Sequence, residues 1–306
     1  MTITGRILRI ERLSSFDGDG LRTVVFLKGC PLACAWCSTP ESHRAATDFG
    51  VARSKCTGCF ACVDACPETA LAWDMKAERF VTDRARCTDC RQCIAACPQG
   101  ARQAWGYTAC VDEIYAEVEK DSLFYFHSGG GITISGGEPL AQAEFTAALL
   151  EKCLMHGINT AIETSGHVPR EHMDQVLPWV DTLFFDLKHL DNDIHQHLTG
   201  TGNRRILENL RAADASAHGF SLVIRMPVTP GMNDTTDNLT ALGEFCRGLD
   251  KLTQIQLLPY HRLGVETYRR MSLAYGLEGV ATPDEETMEG HAAILRAMGL
   301  AVTIGS

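Results

Sequence analysis

The sequence predicts an α/β fold, a partial (β/α)6 TIM-like barrel that is open on one side and carries a small inserted domain. The length of 306 residues exceeds that of one minimal domain. Outside residues 48–108, short apolar runs alternate with longer amphipathic ones, which is typical of βα units around a parallel sheet. Residues 48–108 instead concentrate cysteine. We therefore expect barrel segments at 1–47 and 109–306 and an insertion at 48–108.

The apolar runs set the predicted order of the barrel. The strands are expected at Thr23–Leu27, Ile132–Ser135, Asn159–Glu163, Thr182–Asp186, Ser221–Arg225 and Gln254–Leu258, with a further terminal strand at Ala301–Ile304. The helices are expected near 112–120, 141–155, 204–217, 236–247 and 284–298. In parallel α/β barrels, reactive groups collect at the carboxyl ends of the strands. Functional motifs should therefore follow these runs.

The composition restricts the class of protein. A hydrophobic content of 45% with 22% charged residues is that of a globular chain. The formal charge of −10 repels phosphate backbones and anionic lipid, so neither nucleic acid nor a membrane is expected as a partner. No apolar run approaches the roughly 18 residues of a bilayer span. Arg6, Arg9, Glu11 and Arg12 interrupt the first apolar stretch, which argues against a signal peptide. A cytoplasmic location is expected.

Cysteine is the most informative residue type. Of the 14 cysteines, eleven fall into three groups with only two or three residues between members. Cytosolic thiols stay reduced, and this spacing is typical of metal ligands rather than disulfides. Cys110, Cys153 and Cys246 lie outside the groups and are expected to be buried structural thiols.

Two of the groups are copies of one motif, CTGCFACVDACPETA and CTDCRQCIAACPQGA. The duplication resembles the bacterial two-cluster ferredoxin, in which the fourth cysteine of each motif binds the other cluster. The resemblance implies one [4Fe–4S] cluster on Cys56, Cys59, Cys62 and Cys97, and a second on Cys87, Cys90, Cys93 and Cys66. A pair of structural zinc knuckles is the alternative, but zinc requires neither the Cys-Pro ending nor the duplication.

The remaining group is Cys30-x-x-x-Cys34-x-x-Cys37. Three thiolates can bind only three irons of a cube, which leaves the fourth iron open to the amino and carboxylate groups of S-adenosylmethionine (SAM). With Trp36 before the last cysteine, the group resembles the radical-SAM signature. A structural metal site is the alternative.

Other polar motifs follow the predicted strands. Gly136, Gly137 and Glu138 end one strand, where missing Cβ atoms let a ligand approach the backbone. Asp186 and Lys188 are two positions apart and should face the same way. The alternatives are a tight turn without a ligand and a surface ion pair. His261 follows the last barrel strand and is either a ligand contact or a structural histidine. Glu163, Thr164 and Asp186 supply hard oxygens that suit a monovalent or divalent cation.

Taken together, the motifs resemble the glycyl-radical-enzyme activating enzymes, of which pyruvate formate-lyase activase is the best known. The resemblance rests on SFDGDGLR, FLKGC, SGGGITISGGEP, ETSG, DLK, VTPGMND and LLPYHRLG, in that order to about residue 264. The ferredoxin-like insertion resembles the subgroup that activates dehydratases, lyases and decarboxylases. Thr39 stands where the family usually has Asn, and Asp19 stands where pyruvate formate-lyase activase has Pro, so contacts near the substrate mouth are expected to differ.

The resemblance implies roles for individual residues. The catalytic cluster is expected on Cys30, Cys34 and Cys37. The SAM contacts are expected from Trp36, Cys37, Ser38, Gly136, Gly137, Glu138, Asp186, Leu187, Lys188 and His261. Asp17 is expected to contact the glycine loop of a partner protein.

The implied reaction is reductive cleavage of SAM to methionine and a 5′-deoxyadenosyl radical, which takes hydrogen from a glycine Cα of a partner enzyme. The implied cofactors are three [4Fe–4S] clusters and SAM, with reduced flavodoxin or ferredoxin as electron donor and a monomer as the assembly state. The inserted clusters are expected either to relay electrons or to shape the docking surface.

The sequence has three rival functions to distinguish. A radical-SAM enzyme acting on a small molecule would carry the same clusters. An electron carrier would need only the duplicated motif and not the barrel. A glycyl radical enzyme itself would carry an Arg-Val-x-Gly-Tyr-like segment near its C-terminus, which this sequence lacks.

Overall fold

The computed structural model describes residues 2–305, and most of its strands belong to one nine-stranded sheet. The strands are β1 (Thr4–Ser14), β2 (Arg22–Leu27), β3 (Asp48–Val51), β4 (Leu71–Asp74), β5 (Arg79–Thr82), β6 (Arg102–Trp105), β7 (Tyr107–Cys110), β8 (Gly131–Gly136), β9 (Asn159–Thr164), β10 (Thr182–Asp186), β11 (Ser221–Val228), β12 (Leu252–Pro259) and β13 (Val302–Ile304).

Helices connect the strands and cover one face of the large sheet. They are α1 (Ala61–Asp64), α2 (Gln92–Ala95), α3 (Val111–Glu119), α4 (Ser122–Ser128), α5 (Ala143–Met155), α6 (Arg170–Val176), α7 (Asn192–Thr199), α8 (Arg204–Asp214), α9 (Thr236–Cys246), α10 (Val265–Met271) and α11 (Glu285–Ala297). Short 3-10 turns lie at Pro40–Ser42, Pro139–Gln142 and Leu177–Trp179. No helix within residues 2–305 is long and apolar enough to cross a membrane.

The large sheet has the order β13-β12-β11-β10-β9-β8-β2-β1-β7. Every pairing from β2 to β13 is parallel, whereas β1 runs antiparallel to both β2 and β7. Strands β13 and β7 stand at the two ends of the order, so the barrel is open between them. The predicted α/β class and parallel order are confirmed.

Alternation along the strands separates the inside of the barrel from its helix-covered outside. Ala161, Phe184 and Val223 pack together on the inner face. Their strand neighbours, such as Ile162 and Phe185, belong to the main core beneath the helices. Successive residues of one strand therefore alternate between the barrel interior and the core beneath the helices.

The six predicted barrel strands lie within β2 and β8–β12. Strands β1 and β7 were not predicted, because charged residues interrupt the apolar residues of β1 at irregular spacing and β7 is only four residues long. Helices α4, α6, α7 and α10 were also missed, since each has only seven or eight residues. Short helices give little amphipathic signal.

The inserted segment forms two small antiparallel sheets, β3 with β6 and β4 with β5. Its two motifs have the same local structure. Phe60 and Arg91 take the same left-handed conformation before α1 and α2. The backbone N–H of Ala70 donates to Cys66 Sγ and that of Ala101 to Cys97 Sγ, each at 3.2 Å. The sequence duplication is therefore also a structural one.

A buried ion pair joins the barrel to the insertion. Lys28 follows β2, Asp48 begins β3, and Lys28 Nζ lies 3.1 Å from Asp48 Oδ2. Both side chains are inaccessible to solvent, and burial lowers the pKa of Lys28 although Asp48 opposes the shift. Arg44 and Arg84 also bind the Asp48 carboxylate. This carboxylate therefore compensates three cations at the boundary.

We expect Asp48→Ala to lower the free energy of unfolding by about 3–5 kcal/mol, because the variant leaves a buried ammonium without its counter-charge. The matched control is Asp112→Ala, which removes an exposed partner of Lys152 and should cost less than about 1 kcal/mol. Urea unfolding followed by tryptophan fluorescence measures both. Equal losses in the two variants would show that the boundary does not depend on this pair.

Candidate active site

The loop that carries Cys30, Cys34 and Cys37 follows β2 and is held against the end of α7. The backbone N–H groups of Ala33 and Ala35 donate to Thr199 O at 2.8 Å and Leu198 O at 3.0 Å. Trp36 is buried in a small cluster with Leu198, Tyr260 and Leu277. The aromatic residue therefore anchors the loop and keeps its thiols at the open end of the barrel.

The three thiols are partly buried. Burial raises the pKa of Cys34 to about 12 and also raises the pKa values of Cys30 and Cys37. A cationic metal centre would offset this cost, because it stabilises thiolates. Within residues 2–305, no three His, Cys, Asp or Glu side chains gather closely enough to surround a single ion. A [4Fe–4S] cube does not need such a gathering, since each thiolate binds a different iron.

The Gly136-Gly137-Glu138 turn ends β8 and packs against the start of the cysteine loop. Gly137 N donates to Leu27 O at 2.9 Å, and Glu138 N donates to Gly29 O at 2.7 Å. A Cβ on Gly136 would lie 2.4 Å from Leu27 N, and one on Gly137 would lie 2.4 Å from Gly29 O. Only glycine permits this contact between backbones. The turn therefore sets the position from which the cysteine loop starts.

Glu138 differs from the expectation of a direct SAM contact. Its side chain is fully buried and accepts hydrogen bonds from Leu140 N, Thr164 Oγ1, Ser165 N and Ser165 Oγ, at 2.6–3.1 Å. Burial raises the pKa of Glu138 although these donors oppose the shift. The carboxylate has no free face for a ligand, and it ties the end of β8 to the end of β9.

Asp186 and Lys188 form a pair at the end of β10, with Lys188 Nζ 2.6 Å from Asp186 Oδ2. Burial opposes the charge of Lys188, but Asp186 and Cys34 outweigh it and raise the pKa. The ammonium is therefore held in its charged form beside the cysteine loop. Leu187 lies between Asp186 and Lys188, and its side chain points into the helix-covered core. The sequence predicts a SAM contact from Leu187, but this side chain faces away from the site.

The predicted cation site is not formed, because Glu163 and Thr164 are consecutive and point to opposite faces of β9. Thr164 Oγ1 donates to Glu138 at 2.6 Å on the core side. Glu163 lies on the barrel side, where it pairs with Arg225 and accepts from Ser135 Oγ at 2.5 Å. The oxygens of Glu163, Thr164 and Asp186 therefore do not converge.

Arg225 is a site residue that the sequence reasoning missed. Its guanidinium lies over the Phe184 ring at 3.8 Å and Nε donates to Gln256 Oε1 at 2.7 Å, while the buried Nη2 has no partner within residues 2–305. The available signal was a single arginine inside the otherwise apolar run of β11. Inside the barrel, it compensates the charge of the partly buried Glu163.

Ser38 and His261 lie around the mouth of the barrel, whereas Asp17 lies in the loop that joins β1 to the start of β2. Asp17 accepts a hydrogen bond from Ser14, and its carbonyl accepts one from Thr133 Oγ1 at 2.8 Å, which places its loop against the inner face of β8. His261 is exposed after β12. Ser38 lies against Gly264, where a Cβ would be 2.7 Å from Ser38 O. The cysteine loop and the His261 loop are therefore in direct contact.

Helix α10 bridges the cysteine loop and the insertion, and no role was predicted for it. Tyr268 is buried, and its pKa is raised by burial and by Cys37. Two residues further, Arg270 Nη1 donates to Gln103 Oε1 of the insertion at 3.1 Å. One helical turn thus contacts both cysteine regions.

The three cysteines outside the groups have different surroundings. Cys153 and Cys246 are buried as expected. Cys110 is instead partly exposed and caps α3, where its N–H donates to Glu113 Oε2 at 2.8 Å.

Comparisons with known proteins identify both parts of the chain. Residues 88–241 match the radical SAM superfamily, and residues 55–101 match the 4Fe-4S dicluster domain. The first match begins inside the second ferredoxin-like motif, so the loop of Cys30 precedes it. A radical SAM methyltransferase from Sphaerobacter thermophilus shares the fold, with a TM-score of 0.50, 19% identity and coverage of 71% of this chain and 61% of its own.

Two curated relatives match almost end to end. The isethionate sulfite-lyase activating enzyme of Nitratidesulfovibrio vulgaris is 42% identical over 295 residues, or 95% of each chain. The (2S)-3-sulfopropanediol dehydratase activating enzyme of Klebsiella oxytoca is 40% identical over 281 residues, which cover 90% of this chain and 88% of the relative. Such identity over both the barrel and the insertion shows the family. The chain belongs to the glycyl-radical-enzyme activating enzymes of the radical SAM superfamily, oxidoreductases that act on a protein substrate.

Proposed function

We propose that Cys30, Cys34 and Cys37 hold a [4Fe–4S] cluster with one iron left for SAM, and that residues 48–108 form a separate domain with two further clusters. The observation that carries the proposal is Lys188, a buried ammonium beside Cys30 and Cys34 at the strand ends. Three partly buried thiols on one loop fit a cluster that lacks a fourth protein ligand. When bound, the cluster and SAM supply the electron and the 5′-deoxyadenosyl radical that takes hydrogen from a glycine Cα.

The paired side chains at the end of β10 bind SAM in this proposal. Lys188 stays charged and donates to the SAM carboxylate, and Asp186 accepts from a ribose hydroxyl. The N–H of Gly137 already donates to Leu27 O, so its carbonyl is the group left to accept from the SAM ammonium. Trp36, Cys37 and Ser38 pass beside the nucleoside, and His261 lies at its adenosine end.

The inner face of the barrel receives the glycine loop of the partner. Asp17 accepts hydrogen bonds from the peptide backbone, and Arg225 Nη2 is a buried donor without a partner among the described residues 2–305. The opposite end of the barrel is filled by the buried Arg22, which donates to Thr133 Oγ1 and Ile132 O at 2.6 Å each. A loop therefore enters from the open side and not through the base.

We also propose that the inserted clusters pass electrons from reduced flavodoxin or ferredoxin to the barrel through the region of α10, and that the enzyme acts as a monomer. Support for this route comes from α10, whose Tyr268 lies beside the cysteine loop while Arg270 contacts the insertion. The other role considered for the insertion, a docking surface, would not require such a bridge.

The first test uses a partner enzyme and the Cys34→Ala variant. Isethionate sulfite-lyase is the partner of choice, because the 42% identical relative activates that enzyme. With SAM and dithionite, we expect the wild type to give a glycyl radical signal by electron paramagnetic resonance (EPR). Cys34→Ala should bind about eight irons instead of about twelve and give no signal.

The matched control is Cys153→Ala, which changes a buried thiol outside all three groups and should keep about twelve irons. A modified small molecule without any partner protein would favour the rival radical-SAM function. Full iron in Cys34→Ala would contradict the proposed ligand set.

Lys188→Met should weaken SAM binding by roughly tenfold to one hundredfold, since a hydrogen bond to a charged group contributes about 1.5–3 kcal/mol. Equilibrium dialysis with labelled SAM measures the change. Lys188→Arg should retain more affinity than Met, and Lys152→Met is the surface control. Unchanged affinity in Lys188→Met at full iron content would remove Lys188 from the site.

The relay is tested by Cys59→Ser combined with Cys90→Ser, which removes a thiolate from each inserted cluster. We expect normal glycyl radical formation with dithionite and at least tenfold slower formation with reduced flavodoxin. Unaltered rates with both reductants would rule out the relay.

A further inference from the structure

The two halves of the insertion differ in charge at one buried, equivalent position. In the first half Cys66 is followed by Pro-Glu-Thr-Ala-Leu71, and in the second half Cys97 is followed by Pro-Gln-Gly-Ala-Arg102. The hydrogen bonds from Ala70 and Ala101 to the cysteine sulfurs confirm the equivalence. Leu71 is 3% exposed and Arg102 is 4% exposed, so both side chains are buried.

Arg102 is a buried cation with few partners. Its guanidinium lies over the rings of Phe49 and Phe80 at 5.5 and 5.9 Å, and Nη2 donates to Thr82 Oγ1 at 3.2 Å. Its Nε is buried without any hydrogen-bond partner, and Arg102 forms no ion pair within residues 2–305. A buried charge of this kind is costly unless something compensates it.

Arg102 faces the cysteines of the first motif across a cavity that Arg53 and Arg270 also line. The cavity of about 240 Å³ is also lined by Cys56, Gly58 and Phe60, and none of its lining residues is acidic. Arg102 also directly follows Ala101, whose backbone N–H donates to Cys97 Sγ at 3.2 Å. The guanidinium therefore lies close to the cysteines proposed to hold the first cluster.

We infer that Arg102 raises the reduction potential of the cluster on Cys56, Cys59, Cys62 and Cys97 above that of the cluster on Cys87, Cys90, Cys93 and Cys66. The inference rests on the two inserted clusters of the proposed function. A cube with four thiolates carries net negative charge and gains one more electron on reduction, so a nearby cation stabilises the reduced form. Leu71 supplies no such charge on the other side.

The second motif has three arginines nearby in the chain. Arg86 and Arg91 are exposed, so solvent weakens the fields of their charges, and Arg84 lies three positions before Cys87. However, Arg84 Nη2 lies 3.0 Å from Asp48 Oδ1, and the guanidinium is half-buried. Its field at a cluster is therefore weaker than that of the unpaired Arg102.

The position of the Arg102 cavity indicates which of the two clusters lies nearer the barrel. Arg270 and Met271 of α10 line the same cavity, whereas Tyr268 of that helix lies beside the barrel thiols. The cluster favoured by Arg102 is therefore the one next to the barrel. With both clusters bound, an electron from reduced flavodoxin or ferredoxin would favour the cluster on Cys56, Cys59, Cys62 and Cys97.

The test is a redox titration of the reconstituted full chain, followed by EPR, in the wild type and Arg102→Leu. In Arg102→Leu, we expect the midpoint potential of one inserted cluster to fall. The ratio of oxidised to reduced cluster at a fixed potential should then rise at least tenfold, which corresponds to 59 mV for one electron. Arg102→Lys should keep most of the wild-type value. Arg79→Leu is the control, since it removes an exposed arginine of the insertion that does not line the cavity.

Variants of the cluster ligands identify the cluster whose midpoint potential shifts. The shift should persist with Cys90→Ala and disappear with Cys59→Ala. If Arg102→Leu impairs iron binding, Arg102→Gln provides the same test, because glutamine removes the charge but keeps a donor for Thr82. Two results at about twelve irons per chain would overturn the inference while the proposed clusters stand. One is unchanged midpoint potentials in Arg102→Leu, and the other is a shift in the midpoint potential of the other inserted cluster. Only about four irons in the wild type would instead overturn the clusters themselves.

Discussion

The open end of the barrel depends on one buried carboxylate. Glu138 accepts two hydrogen bonds at each oxygen and joins the turn after β8 to the end of β9. Its own N–H reaches Gly29, directly before the first cysteine of the loop. A buried carboxylate is tolerated only when its oxygens are satisfied, so these contacts hold one another in place. The position of the thiols follows from the position of this group.

The same principle governs the other buried charges. Lys188 keeps its proton because Asp186 and the neighbouring thiols outweigh the cost of burial. Glu163 is compensated by Arg225 on the inner face of the barrel, and Lys28 is compensated by Asp48 at the boundary with the insertion. Apart from Arg225, which lies within β11, each charge sits at or next to the end of a strand. The sheet holds these side chains in rigid positions, and a counter-charge beside each one stabilises its charged form there.

The sequence predicted the parallel order of strands because apolar runs and turn residues alternate regularly, and it predicted the cysteine groups because their spacing is local. It did not reveal β1, whose apolar residues are interrupted irregularly by charged ones, or the bridging role of α10, which depends on contacts between distant segments. Glu138 and Thr164 were assigned to ligands because strand ends attract such roles, but their side chains point to the core. Arg225 was missed since its partner, Glu163, is 62 positions away.

The insertion leaves the large sheet after β2 and rejoins it at β7, two strands away in the order, with only β1 between them. Gly106 lies so near Lys28 that an added Cβ would be 2.2 Å from its side chain. The two points of attachment are therefore neighbours in space. A module whose ends lie this close can be gained, lost or exchanged during evolution without disturbing its host. The barrel and the segment that matches the 4Fe-4S dicluster domain are in that sense separately heritable parts.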